Sequence, residues 1–240
     1  MYFCSPENFT CTNRHNETNN NESMNNQYYK ITGRRDLTDT TFVLEIERKG
    51  MAFEPGQHLL LGKAGDIHHR EYSIYSGNKD QTLDVLVKEV ENGEVSKTLK
   101  HLQPGDQVEV QGPLGFFTLE EDFLKNGSRF LFVASGTGIS PFHSMVKSLP
   151  QLDYTLLHGI RYAEEAYDRQ DYQPQRYVAC TSRDEKGDFH GRVTDYIRQH
   201  DFDNNTHCYL CGNFEMIREA MDLLEKKGIA ADHLHAEVYF

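Results

Sequence analysis

Two hydrophobic periodicities divide the chain. From residue 28 to about 120 the apolar positions fall in short alternating runs, 42-FVLEI-46, 58-HLLLG-62, 83-LDVLVKEV-90 and 107-QVEVQ-111. Period two sends successive side chains to opposite faces of a strand, so each run predicts a short strand. Turn residues separate them at Pro55-Gly56, Gly77-Asn78, Pro104-Gly105 and Gly112-Pro113. Strands at this spacing predict a small antiparallel β-barrel over residues 27–125, interrupted by one short helix near 94–102.

After residue 127 the pattern changes to compact apolar runs alternating with helical spacing, as in a buried parallel sheet with crossover helices. The predicted strands are 129-RFLFVA-134, 154-YTLLHGI-160, 176-RYVACTS-182, 207-HCYLCG-212 and 234-LHAEVYF-240. Helical patterns run over 140–149, 191–200 and 214–228, the last closing on two lysines and Gly228. Residues 126–240 are therefore predicted as an α/β parallel-sheet domain, and the glycine-rich turn at 135–142 is what would make it nucleotide-binding. Ser140 is the expected N-cap of its helix, with Pro141 at the first helical position.

Composition narrows the class. The 240 residues suffice for two modest domains, and no run approaches the ~18 apolar residues of a membrane span. The formal net charge of −12 is spread along the chain, which argues against nucleic-acid binding. Five cysteines, an odd and sparse set, favour a reducing compartment, so a cytoplasmic monomer is expected. Residues 1–26 are rich in Asn, Glu, Ser and Thr and lack the basic and apolar segments of a signal peptide, so they read as a disordered tail. The change in character after Met24 marks that residue as a candidate start, and the Asn-x-Ser/Thr triplets before it read as chance matches.

Three segments carry candidate chemistry. The segment 135-SGTGISPF-142 follows an apolar strand and enters a helix. Its glycines let backbone approach a pyrophosphate at the positive end of that helix, although a plain strand-to-helix turn would read the same way. In 70-REYSIYSG-77, alternation places Arg70, Tyr72 and Ile74 on one face, which suits a flavin but also an ordinary half-buried strand. Cys208-x-x-Cys211 reads as a redox dithiol, half of a zinc site, or an alternating strand entering a glycine turn. Without a second Cys pair or a suitably spaced Cys/His partner, no metal site is expected. The cysteines are not clustered as a plant-type 2Fe–2S site requires, so any such cluster belongs to a partner.

From residue 28 onward the chain resembles the ferredoxin-NADP⁺ reductase family in its short bacterial form. Six motifs occur in the family's order: 55-PGQ-57, 70-REYS-73, 93-GEVS-96, 135-SGTGISPF-142, 211-CGN-213 and the acidic-then-aromatic 237-EVYF-240. The resemblance implies FAD held by Arg70, Glu71, Tyr72 and Ser73, with Gly93, Val95 and Ser96 at its pyrophosphate. It implies NADPH against Gly136, Thr137 and Gly138, with Cys211 and Glu237 near the nicotinamide. Tyr239 takes the position of the ring stacked on the flavin, and Phe240 that of an extra terminal aromatic. A C-terminal strand whose aromatics fill core is the alternative for these last two. Arg161, Ser182, Arg183 and Arg192 match the family's 2′-phosphate positions at strand ends, where ligands bind in open α/β sheets.

The implied activity is hydride transfer from NADPH to flavin, followed by single-electron exchange with ferredoxin or flavodoxin. Ser73, Cys211, Glu237 and Tyr239 are the implied catalytic set. Docking an acidic partner on an acidic chain requires a local basic patch, and Lys30, Arg34, Arg35, Lys63 and Arg70 are the candidates. Within the same fold, the alternatives are a reductase component of an oxygenase or an NAD(P)H-dependent flavin or cytochrome reductase. A silent nucleotide-sensing or interaction module of the same fold is the non-enzymatic alternative.

Overall fold

The computed structural model describes residues 27–239. The expectations for the tail over 1–26, with Cys4 and Cys11, and for Phe240 lie outside the described residues. Six strands precede residue 115: β1 (Gln27–Asp36), β2 (Thr41–Glu47), β3 (His58–Lys63), β4 (Arg70–Ser73), β5 (Thr82–Lys88) and β6 (Gln107–Leu114). They pair antiparallel in the order β4-β3-β6-β1-β2-β5, and an Ile74–Val85 bridge joins the two edges into a barrel. Helix α1 (Glu94–His101) crosses between β5 and β6, and α2 (Glu121–Lys125) leads out of the barrel.

The second half is a parallel sheet. Its strands are β7 (Phe130–Ser135), β8 (Tyr154–Ile160), β9 (Tyr177–Thr181), β10 (Phe189–His190), β11 (His207–Gly212) and β12 (Leu234–Val238), in the order β10-β9-β8-β7-β11-β12. Helices α3 (Ser140–Ser148), α4 (Val193–Gln199) and α5 (Phe214–Lys226) connect them. Strand β7 is buried almost throughout and β11 throughout, as expected of strands covered on both faces. The direction of strand addition reverses between β7 and β11, and a crevice opens at their carboxyl ends, where ligands bind in such sheets. Among the described residues, no helix is long and apolar enough to cross a membrane.

The halves share one core. Phe42, Leu44 and Ile46 fill the barrel, while Val43 points outward with Leu86, Tyr75 and Phe117 into a cluster containing Phe132, Ile139, Phe142 and Tyr209 of the parallel-sheet half. This explains why β2 is buried on both faces at its start rather than alternating. Each such side chain contributes about 1.5–3 kcal/mol when fully covered. Polar contacts complete the seam. Asp168 takes a bidentate ion pair from Arg35 at 2.6 and 2.9 Å and a hydrogen bond from the Tyr75 hydroxyl at 3.0 Å. The ring of His143 stacks on Tyr75 at 3.7 Å, and its Nδ1 lies 2.7 Å from the Tyr75 carbonyl.

Candidate active site

The turn after β7 is built around two glycines with different tasks. Gly136 has φ +54 and no neighbour within 4 Å of where a Cβ would lie, so its backbone faces open space. Gly138 is closed in: a Cβ there would come within 2.3 Å of the Cys211 carbonyl oxygen, so this glycine lets the turn pack against the end of β11. Residues 136–139 form one turn of 3₁₀ helix before α3. Ser140 is consequently the first residue of α3 rather than its N-cap, and its hydroxyl donates to the Thr137 carbonyl at 2.8 Å. His158 holds the turn from beneath. Its Nε2 donates to the Gly136 carbonyl at 2.8 Å, and its Nδ1 accepts from the Tyr177 hydroxyl at 2.7 Å. Burial lowers this ring's pKa to about 4, leaving it neutral.

A cleft of about 530 Å³ opens above the turn. Its walls include Ser135, Gly136, Thr137, Arg161, Ser182 and Arg192, with Tyr239 at one end. Arg183 and Gly138 are not among its lining residues. Thr194, which the sequence reading did not single out, lines the cleft with a buried hydroxyl that has no partner among the described residues. Its only sequence signal is its place two residues after Arg192 in the first turn of α4. Asn213 caps α5 by accepting from the amides of Glu215 and Met216, which fixes the Cys211-Gly212-Asn213 turn at the cleft edge.

At the barrel end, β4, β11 and the end of β12 bring four side chains together. The Tyr239 hydroxyl donates to Ser73 Oγ at 2.6 Å, and Ser73 Oγ donates to Glu237 Oε2 at 3.3 Å. Cys211 is the register partner of Glu237. Burial, opposed by the Ser73 hydrogen bond and reinforced by Glu71, raises the Glu237 carboxyl to about 7. Burial likewise pushes the Cys211 thiol and the Tyr239 phenol well above their ordinary values. A neutral thiol and a neutral phenol are poor nucleophiles, so these groups hold and orient rather than form bonds.

The remaining expected residues lie around the rim. Arg70 and Glu71 are exposed, Tyr72 is half-buried against the barrel core, and Ser73 is buried. Gly93 is the N-cap of α1 and has no side chain to occupy the helix end. Val95 and Ser96 are buried in the first turn of α1, with the Ser96 hydroxyl turned inward to the Val90 amide at 3.1 Å. Cys208 and Cys211 sit in separate cores on opposite faces of the sheet, so the pair forms neither a dithiol nor half of a zinc site. Of the expected basic patch, Arg35 is engaged by Asp168, and Arg34 by Asp36 and the Lys100 carbonyl. Lys30, Lys63 and Arg70 remain exposed.

The donor set fits two dinucleotides. An uncapped helix start, whose Glu94 lies 3.4 Å from His68 just before the arginine-bearing strand β4, suits one pyrophosphate. The open Gly136 backbone, the Thr194 hydroxyl and the arginines of the cleft suit another. Such a barrel and parallel sheet, meeting at a nucleotide-sized crevice, define a two-domain oxidoreductase that binds FAD and a nicotinamide dinucleotide. Residues 30–119 match the oxidoreductase FAD-binding domain, and residues 132–222 match the oxidoreductase NAD-binding domain. The flavodoxin/ferredoxin–NADP reductase of Escherichia coli (strain K12) is 26% identical over 215 residues, covering 79% of this chain and 86% of that protein. The toluate 1,2-dioxygenase electron transfer component of Pseudomonas putida is 28% identical over 226 residues, covering 87% of this chain and 66% of its own length. A ferredoxin NADP⁺ reductase from Neisseria gonorrhoeae, solved with FAD and NADP bound, shares the fold with a TM-score of 0.80 and 22% identity, covering 89% of this chain and 98% of that one. The chain belongs to the ferredoxin-NADP⁺ reductase family. It spans 60–66% of the length of the dioxygenase components and the epoxidase subunit it matches.

Proposed function

We propose that the protein is an NADPH-dependent FAD reductase that exchanges single electrons with a ferredoxin or flavodoxin. The observation that carries this reading is the convergence of Ser73, Cys211, Glu237 and Tyr239 at the mouth of a cleft lined by Gly136, Thr137, Arg161 and Arg192. Bound FAD supplies the interconversion of a two-electron hydride donor and one-electron acceptors. Arg70 and the first-turn amides of α1, including those of Val95 and Ser96, hold its pyrophosphate, and Tyr72 gives its ring an apolar face. Glu71 faces water beside that strand.

On the other side, Gly136, Thr137 and the start of α3 hold the coenzyme pyrophosphate. Arg161, Ser182 and Arg192 take the 2′-phosphate, with Arg183 exposed next to Ser182 in the same loop. Tyr239 covers the flavin position and leaves when nicotinamide enters. Ser73 and Glu237 hold a proton at that edge, where a carboxyl raised to about 7 both gives and takes one near neutrality. Lys30, Lys63 and Arg70 offer an acidic partner its basic contact. Buried free thiols at Cys180, Cys208 and Cys211 support a reducing, cytoplasmic setting for a monomer.

The deciding experiment is anaerobic mixing of the yellow holoprotein with NADPH and NADH in parallel, followed by addition of oxidised ferredoxin or flavodoxin. Bleaching with NADPH and recovery on adding the carrier are expected. A protein that takes up no FAD, or that NADPH leaves coloured, overturns the reading. The second reading is a reductase component of an oxygenase, favoured by the similarity to the toluate dioxygenase component, and transfer to an oxygenase but not to ferredoxin or flavodoxin would select it.

A further inference from the structure

One ionisable ring at the site has no task in the reading above. His58 opens β3 directly opposite Ser73 in the β3–β4 register, so the two side chains leave the same face of the sheet. Its Nδ1 lies 3.8 Å from Glu237 Oε1, and its Nε2 lies 3.9 Å from Glu71 Oε1. Gly115 seats the ring: a Cβ at that position would come within 2.7 Å of Nδ1, and its φ of +91 favours glycine independently. The side chain of Glu71 is 72% exposed, whereas those of His58 and Glu237 are 16% and 23% exposed. The imidazole thus stands between an open carboxylate and a covered one, with one nitrogen toward each. The charged groups facing it are Glu71 from β4 and Glu237 from β12, while β6 and the residue after it contribute only Leu114 and Gly115.

We propose that His58 is the proton route between solvent and the Glu237 carboxyl, with Glu71 as its outer station. The chemical purpose of this route rests on the flavin reading of the site. A proton on the Glu71 carboxyl passes to His58 Nε2, and the proton on Nδ1 passes to Glu237 Oε1. Exchange of tautomer then resets the ring. Only O–H and N–H bonds form and break, no electron moves, and the reverse sequence exports a proton. Both gaps are within about 1 Å of hydrogen-bond length, a distance that small torsions of the two glutamates close. Because an imidazole donates from one nitrogen while accepting at the other, it suits this place better than a third carboxylate.

Two measurements test the proposal, and the first needs no flavin. The Glu237 carboxyl is titrated by ¹³C NMR in glutamate-labelled protein, its resonance assigned with Glu237→Gln. His58→Ala is expected to move its midpoint by half a pH unit or more, and an unmoved midpoint overturns the relay. The second is proton uptake by the holoprotein on anaerobic photoreduction, followed with a pH-indicator dye. His58→Ala is expected to slow uptake about tenfold, with saturable recovery on adding free imidazole, and Glu71→Gln to slow it by less. Unchanged uptake in His58→Ala, or a loss that imidazole does not restore, also overturns the relay. Failure of the flavin reading appears separately, as parent protein that binds no FAD while the NMR titration still reports on the route.

Discussion

The hydroxyl of Tyr239 donates to Ser73 Oγ across 2.6 Å, tying the end of the described chain to the strand 166 residues earlier. On the proposed reading, entry of a nicotinamide must break this bond, worth about 0.5–1.5 kcal/mol, and uncover the phenol. Tyr239→Ser is therefore expected to raise affinity for oxidised nicotinamide coenzymes about tenfold and to narrow the preference for NADPH over NADH. The checks are a long-wavelength charge-transfer band and the ratio of kcat/KM values. An unchanged ratio rejects the stacking role.

Arg161 and Arg192 line the cleft and Arg183 does not. A charge-assisted hydrogen bond to phosphate contributes about 1.5–3 kcal/mol, so Arg161→Ala and Arg192→Ala should each raise KM for NADPH roughly 10- to 100-fold. KM for NADH should change less than about twofold in the same variants. Arg183→Ala should have the smallest effect of the three, as steady-state kinetics with both coenzymes will show.

Two buried groups give stability opposite pH dependences. Glu237 is raised from 4.5 to about 7, so folding carries a penalty that is absent below pH 4.5 and complete above about 7. At about 1.4 kcal/mol per unit this approaches ~3 kcal/mol. Glu237→Gln should be more stable than the parent at pH 8, with the difference vanishing near pH 4.5 in urea titrations. His158 is lowered from 6.5 to about 4, so its contribution is complete above 6.5 and lost as pH falls through 4. His158→Leu should cost about 1–3 kcal/mol at pH 7 and flatten that acid limb.

Arg35 and Asp168 form a bidentate pair between the halves, with the Asp168 side chain only 5% exposed. Removing Arg35 leaves a covered carboxylate short of its cation, so Arg35→Ala should destabilise by about 3 kcal/mol. A double-mutant cycle with Asp168→Ala should give a coupling of about 1–3 kcal/mol, and additive losses would show the pair to be idle.

The legible part of this fold was the part written in local pattern. The runs 154–160 and 207–212 form strands of those same bounds because each is covered on both faces and bounded by turns. Strand β1 was not singled out, because Tyr29 and Ile31 alternate inward only until a register shift at Gly33, after which Arg34 and Arg35 follow. The two-residue β10 carries too short a pattern to read. Ser73, Glu237 and Tyr239, up to 166 residues apart, are joined by hydrogen bonds, and Cys211 pairs in register with Glu237. Residues whose partners lie far along the chain had no local signal. His158 reaches back 22 residues to Gly136, and His58 sits between carboxylates of two other strands. The Cys-x-x-Cys spacing shows the reverse case, in which a legible motif dissolves once alternation sends its thiols to opposite sides.

The shared core and the Arg35–Asp168–Tyr75–His143 contacts join barrel and sheet without a slack hinge. On the proposed reading, the spacing between the flavin and nicotinamide positions is set by that shared core, and the part that must move is the Tyr239 phenol. Opening becomes a swing of a single side chain, which belongs to the nanosecond-to-microsecond range rather than to the slower world of domain closure.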